Sequence, residues 1–171
     1  NWGVLRLPHY SFRPSNIDPL HFDLWHKGEN ILRDGGSFSY NAPRKLYDYF
    51  YGTKSHNSIE FDDKDIMPKY SKFLCLNWLK SKKNISKEDK NFYYIESEYN
   101  QKGISHKRII KAEKMGLLWQ VIDYIDGFER QAVLYWRLIS ANWNLQENTF
   151  ISDKCSINIE INNSRYNLEL D

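Results

Sequence analysis

The sequence predicts an all-β protein, with antiparallel strands packed as a two-sheet sandwich of jelly-roll or supersandwich type. Three observations carry that expectation. Short runs of alternating apolar and polar residues recur between clusters of Gly, Asn, Asp and Ser, which is the signature of half-buried strands joined by tight turns. Aromatic residues make up 16% of the chain, including 12 Tyr and 6 Trp, and such residues suit a pleated, half-buried surface. Only one segment, 44–51, suggests a helix, so the apolar faces must be buried sheet against sheet.

Taken in chain order, strands are expected at 3–7, 20–25 and 30–32, with Lys27-Gly28-Glu29-Asn30 as a β-turn between the last two. The aromatic segment 44–51 reads as a short helix or an irregular loop. Further strands are expected at 58–61 and 71–77. Residues 78–90 carry the run Lys80-Ser81-Lys82-Lys83 and read as a solvated loop. Strands then follow at 92–98, 117–125, 132–139, 156–161 and 165–170, with Asn162-Asn163-Ser164 as the hairpin turn between the last two. No repeat of fixed period is visible.

A length of 171 residues with 41% hydrophobic residues fits a single compact domain with its own core. The 24 basic and 22 acidic residues nearly cancel, and the sequence pI is about 8.4, so net charge argues for neither nucleic acid nor a membrane surface. A nucleic-acid function would rest only on the lysine run and the slightly basic pI, and ranks last. Cys75 and Cys155 lack the spacing of a metal knuckle or redox pair and read as free thiols, Cys75 as a small buried hydrophobe. No stretch has the length of a membrane-spanning helix. The start at Asn1-Trp2-Gly3, with no initiator Met and no signal-peptide core, suggests a fragment of a longer protein and leaves the compartment unread.

The segment 13–41, RPSNIDPLHFDLWHKGENILRDGGSFSYN, holds most of the chemistry. Period two puts Leu20, Phe22 and Leu24 on a core face, and His21, Asp23 and Trp25 on the opposite one, where they would floor a polar, sugar-sized cleft. Simple solvation of that face is the competing reading. Asp34 ends a strand just before Gly35-Gly36, where a carboxylate can be aimed at a metal or a substrate cation; it also suits an ordinary turn. His56 precedes the strand at 58–61. His21, Asp34 and His56 thus fall near strand ends and can converge.

The motifs Arg13-Pro14-Ser15, Asp18, Leu20-His21-Phe22-Asp23-Leu24-Trp25, Gly28, Asn30, Asp34-Gly35-Gly36, Tyr40-Asn41, Gly52-Thr53 and His56-Asn57 resemble the carboxy-terminal domain of bacterial heparinase II/III-like polysaccharide lyases. The likeness continues through Asp65-Ile66-Met67-Pro68, Phe73 and Trp78. It extends more weakly to His106-Lys107-Arg108, Ile122-Asp123 and Tyr135-Trp136-Arg137-Leu138. The resemblance implies an antiparallel β-sandwich preceded, in the whole protein, by an α/α-toroid, with an acidic polysaccharide between them. It implies β-elimination: a base from the toroid takes the C5 proton of a uronic acid, the carboxylate is neutralised, and an acid protonates the departing O4.

By the same resemblance His21 is the candidate catalytic contact, with Arg13, Asp23 and Trp25 on the substrate side; a guanidinium such as Arg13 pairs with both oxygens of a uronate or sulfate. The family's zinc positions fall on Asp34, His56 and Asn16, and a neutral amide at the third is a poor zinc ligand. Either His21 substitutes, or the site is metal-free and held by an Asp34–His56 hydrogen bond. The implied compartment of a degradative lyase is the periplasm or the exterior, and the implied partners are the toroid and the polysaccharide, with no nucleic acid and no membrane. Self-association through an uncovered apolar face is also expected. The other function class is a non-catalytic carbohydrate-binding or interaction sandwich, linked to surface-polysaccharide assembly.

Overall fold

Gly3 allows the first two strands to lie close: a Cβ there would meet the Phe22 ring at 2.7 Å. β1 (Trp2–Leu5), β2 (Phe22–His26) and β3 (Glu29–Leu32) form an antiparallel sheet in that order. Lys27 and Gly28 join β2 to β3 with φ of 48° and 84°, the two positive values that a tight two-residue hairpin requires. The computed structural model describes residues 1–39, 41–71, 74–162 and 165–170. Alternation in the second strand begins at Phe22, later than the sequence pattern suggests. Leu20 has a φ of 57°, which breaks the pleat and turns both Leu20 and His21 inward, so His21 is fully buried instead of lying on an outer face.

Helix α1 (Arg44–Tyr51) settles the segment that read as helix or loop. It follows Pro43, whose fixed φ suits a helix start, and it buries Tyr47 and Tyr51, one turn apart and stacked at 5.7 Å, with Lys69 over both rings. A single turn of 3-10 helix (Thr53–Ser55) then leads through His56 into β4 (Ile59–Phe61). The expected strand 71–77 is two short strands, β5 (Lys69–Ser71) and β6 (Leu74–Cys75), paired with each other; Lys72 and Phe73 lie outside the described residues.

The loop expected at 78–90 is a strand, β7 (Ser81–Glu88). Among the described strands it pairs with β8 (Phe92–Gln101), which pairs with β9 (Ile104–Glu113), which pairs with β10 (Trp119–Asp126). β7 is an edge, and lysines on an edge strand protect it from adding a foreign strand, which is why its composition looked like a loop. β9 escaped notice for the opposite reason. Its inward positions include His106 and Arg108, both fully buried, so polar residues stand where the alternation calls for apolar ones.

β11 (Ala132–Leu134) pairs with β4, making the expected strand 132–139 much shorter. β12 (Asn144–Gln146), β13 (Thr149–Ile151) and β14 (Ser156–Asn158) form a separate three-stranded sheet. Residues 165–170 alternate but form no strand, and the hairpin expected at 162–164 lies mostly outside the described residues. The architecture is therefore all-β and sandwich-like but, among the described residues, divided into five antiparallel sheets, not the two of a simple sandwich. Short strands, a bulge between Leu24 and Trp25 and the 3-10 turn interrupt the ladders that two continuous sheets would need.

The chain divides into two compact units, Asn1–Arg137 and Leu138–Asp171. Within the first, Phe22 of β2 packs on Trp119 of β10 at 5.9 Å, and Phe61 of β4 meets His106 of β9 at 6.1 Å. The apolar cluster of Ile17, Leu20, Tyr47, Tyr51, Ile66, Met67, Cys75, Leu79 and Tyr99 lies beside these contacts, and both Cys75 and Cys155 are free thiols. Each such fully buried apolar side chain contributes roughly 1.5–3 kcal/mol of transfer free energy. In the second unit Phe150 of β13 is the buried hydrophobic residue among those described. Among the described residues no helix is long and apolar enough to cross a membrane.

Candidate functional site

Three separate turns bring polar side chains together beside that core. The left-handed Leu20 directs His21 inward; the Asx turn after β3, closed by the Gly36 amide on Asp34 Oδ1 at 2.6 Å, presents Asp34; and the 3-10 turn delivers His56. The Asp34 loop can approach the 3-10 turn only because residue 35 is Gly. A Cβ there would lie 2.5 Å from the Ser55 carbonyl oxygen, which accepts the Gly35 amide at 2.9 Å.

His21, Asp34 and His56 offer one donor atom each, and these lie within 4.8 Å of one another, forming a cluster able to take up a metal ion. Asp34 Oδ1 is 3.2 Å from His56 Nδ1, and Oδ2 is 3.5 Å from His21 Nε2 and 2.9 Å from the Arg6 guanidinium. Burial alone would push the Asp34 carboxyl up, but His56, the Gly36 amide and His21 together hold it well below the usual carboxylate range. Asp23 is likewise lowered against the pull of burial, by His21 and by Asn30, whose amide donates to its Oδ1.

The fit of a cation differs from ligand to ligand. His56 is fully buried, yet neither ring nitrogen makes a directed hydrogen bond; its 3.2 Å approach to Asp34 has the distance of an ion pair only. An unpaired buried imidazole is costly, and a cation between His56 and Asp34 would remove that cost. Asp34 Oδ2 also lacks a directed hydrogen bond despite its charged neighbours. His21 is different. Its Nδ1 accepts the Asn57 backbone N–H at 2.8 Å, so a neutral ring carries its proton on Nε2, 3.1 Å from Asp23 Oδ2. Metal-ligating histidines normally donate from the nitrogen that is not bound to metal. Asp34 and His56 therefore fit a cation as they stand, and His21 joins them only by giving up its Nε2 proton.

Of the other residues singled out in the sequence, Asn16 is buried, and its Oδ1 accepts a long hydrogen bond from Ser37 at 3.5 Å. Arg13 is exposed, and its charge is felt at Tyr51. Trp25 is half-buried and stacks on Trp2 at 5.2 Å. The residues that frame the cluster and were not foreseen are Arg6, Asn57, Arg108 and Asp123. Arg6 pairs with Asp18 as well as Asp34. Arg108 binds Asp123 through both Nε and Nη2, at 2.7 and 2.8 Å, and His106 Nε2 lies 2.8 Å from the same carboxylate.

A family profile described as "Heparinase II/III-like, C-terminal" matches residues 8–168. The chain belongs to the heparinase II/III-like family. In fold, this heparinase II/III-like chain is similar to a solved heparinase III gene product with methylated lysines, with a TM-score of 0.68 and 17% identity over 88% of the chain. It spans 23% of that structure's chain. No curated protein matches it in sequence. The weak motif matches at His106, Arg108 and Asp123 were the available signal for the buried network, but no pairing between them follows from their spacing.

Proposed function

We propose that this chain is the carboxy-terminal part of a polysaccharide lyase acting by β-elimination on a uronic-acid-containing polymer, with the α/α-toroid of the same protein forming the other wall of the cleft. The observation that carries the reading is the His21–Asp34–His56 cluster, able to take up a metal ion, in a chain whose residues 8–168 match the heparinase II/III-like carboxy-terminal family. The side chains of Asp23 and Asp34 reach the surface at 16% and 18% exposure, and His21 lies beneath them. His21, nominated from sequence as the contact with substrate, then acts through those two carboxylates.

Two anionic side chains facing an anionic polymer need a cation between them. Zinc held by Asp34 and His56 would supply it, drawing charge from the uronate carboxylate as the C5 proton leaves. The chain's own part is to keep Asp34 ionised, to hold the His21 proton on Nε2, and to offer Arg13 and the Trp25 edge to the sugar. The elimination balances without further reagents. A base from the toroid takes the C5 proton, the C5–H electrons form the C4–C5 double bond, the C4–O4 bond breaks, and O4 leaves with a proton from an acid. A metal-free cluster is the second reading, favoured by the Asn57 amide on His21 Nδ1 and by Arg6, whose guanidinium already neutralises Asp34.

The test is appearance of unsaturated uronate products when the toroid-bearing protein is mixed with sulfated and unsulfated uronate polysaccharides. Products are expected from the whole protein and none at an enzymatic rate from this chain alone. Tight sugar binding without product from the whole protein would move the assignment to a non-catalytic carbohydrate-binding sandwich.

A further inference from the structure

We propose that Arg108, gripped by Asp123, is a positioning residue for the His21–Asp34–His56 cluster, acting through the backbone carbonyls of Leu20 and Asn57. The proposal rests on reading that cluster as the functional site. Arg108 is fully buried in β9, in cross-strand register with Asp123 of β10. Its Nε and Nη2 are taken by Asp123, which leaves Nη1 as the free prong of the fork, and Nη1 donates to Leu20 O and to Asn57 O, both at 2.7 Å. The Trp136 ring lies 5.1 Å from the guanidinium carbon.

Those two carbonyls are well chosen. Leu20 immediately precedes His21 in the strained left-handed turn, and Asn57 immediately follows His56. Asn57 then transmits the grip: its N–H donates to His21 Nδ1, its Nδ2 donates to Phe22 O at 2.9 Å and Arg33 O at 3.1 Å, and its Oδ1 accepts the Arg137 N–H at 2.6 Å. Arg33 directly precedes Asp34. One guanidinium thus ties together the backbone segments carrying all three cluster residues, and through the Asn57 amide it keeps the His21 proton on Nε2, facing the carboxylates. A lysine cannot reproduce this, because it lacks the planar fork that engages a carboxylate and two carbonyls at once.

The test reads the ring nitrogens of His21 by 15N NMR in the metal-free, sugar-free chain, at a pH where the imidazole is neutral. The native protein is expected to show an unprotonated Nδ1 and a protonated Nε2. In Arg108→Lys the two nitrogens are expected to shift toward each other as the tautomers mix. Ile110→Ala, on the same buried face of β9, is expected to lower stability while leaving His21 as in the native protein. Native-like His21 shifts in Arg108→Lys, or equal movement in both variants, would overturn the proposal.

Should Arg108→Lys not fold, the native protein decides. Slowly rotating Arg108 with separate Nη protons and hydrogen-bond couplings to the Leu20 and Asn57 carbonyls supports the clamp, and a single averaged Nη signal overturns it. Neither readout needs metal, polysaccharide or turnover. Failure of the lyase reading would therefore leave this result standing, and failure here would leave the lyase reading untouched.

Discussion

His56 and His21 are both fully buried imidazoles beside Asp34, yet their chemistry differs because of one backbone amide. Neither nitrogen of His56 makes a directed hydrogen bond, whereas His21 has Nδ1 committed to Asn57. Zinc added to the chain and followed by calorimetry should therefore bind through Asp34 and His56, and His56→Ala should weaken uptake by about 100-fold or more, beyond the usual effect of a supporting residue. Equal zinc affinity in the variant would place the ion elsewhere. His106 sets an acid limit on the fold. Burial lowers its pKa below the ordinary 6.5 in spite of Asp123, so the folded state holds the ring neutral. A histidine depressed in this way contributes stability that is complete above the unfolded value near 6.5 and is lost as pH falls toward the folded value. Thermal unfolding should show stability declining below about pH 6.5, with a shallower decline in His106→Gln. The same slope in both proteins would show that His106 does not contribute.

Turns, more than strands, build the site. Gly35→Ala should push the Asp34 loop off the Ser55 carbonyl, because the clash at 2.5 Å is with backbone and has no flexible side chain to yield. A loss of about 1–3 kcal/mol in urea unfolding is expected, with Asp34 drawn away from His56; unchanged stability would mean the loop relaxes freely. The same scale explains what was legible in the sequence. The outward alternation of β8 and β10 was readable because pattern and environment agree, whereas Arg44–Tyr51 read equally as a helix or a loop. β7 was hidden by the lysines that protect an edge, and β9 by the buried His106 and Arg108. Asp34 and His56 were legible as motif positions. The left-handed backbone at Leu20, which buries His21, was not, since no glycine or asparagine marks it.

At the scale of the whole molecule, the chain belongs to the heparinase II/III-like family and spans 23% of the solved heparinase III chain that it resembles, and large apolar side chains such as Phe12, Phe38 and Tyr70 are 79%, 67% and 73% exposed. Sedimentation of the chain alone should show mass rising with concentration, and a monomer at all concentrations would count against an uncovered contact face. The five-sheet division could not be read from strand spacing, because pairing partners such as β4 and β11 lie far apart in the chain. The measurement that bears most directly on function is the rate of unsaturated uronate formation by the toroid-bearing protein, compared between the native form and Asp34→Asn. The expected result is a clear native rate that falls by roughly 100-fold in the variant, as removal of a single charge-stabilising group commonly produces. Elimination proceeding equally fast without the Asp34 carboxylate would contradict the assignment of this cluster to the lyase cleft.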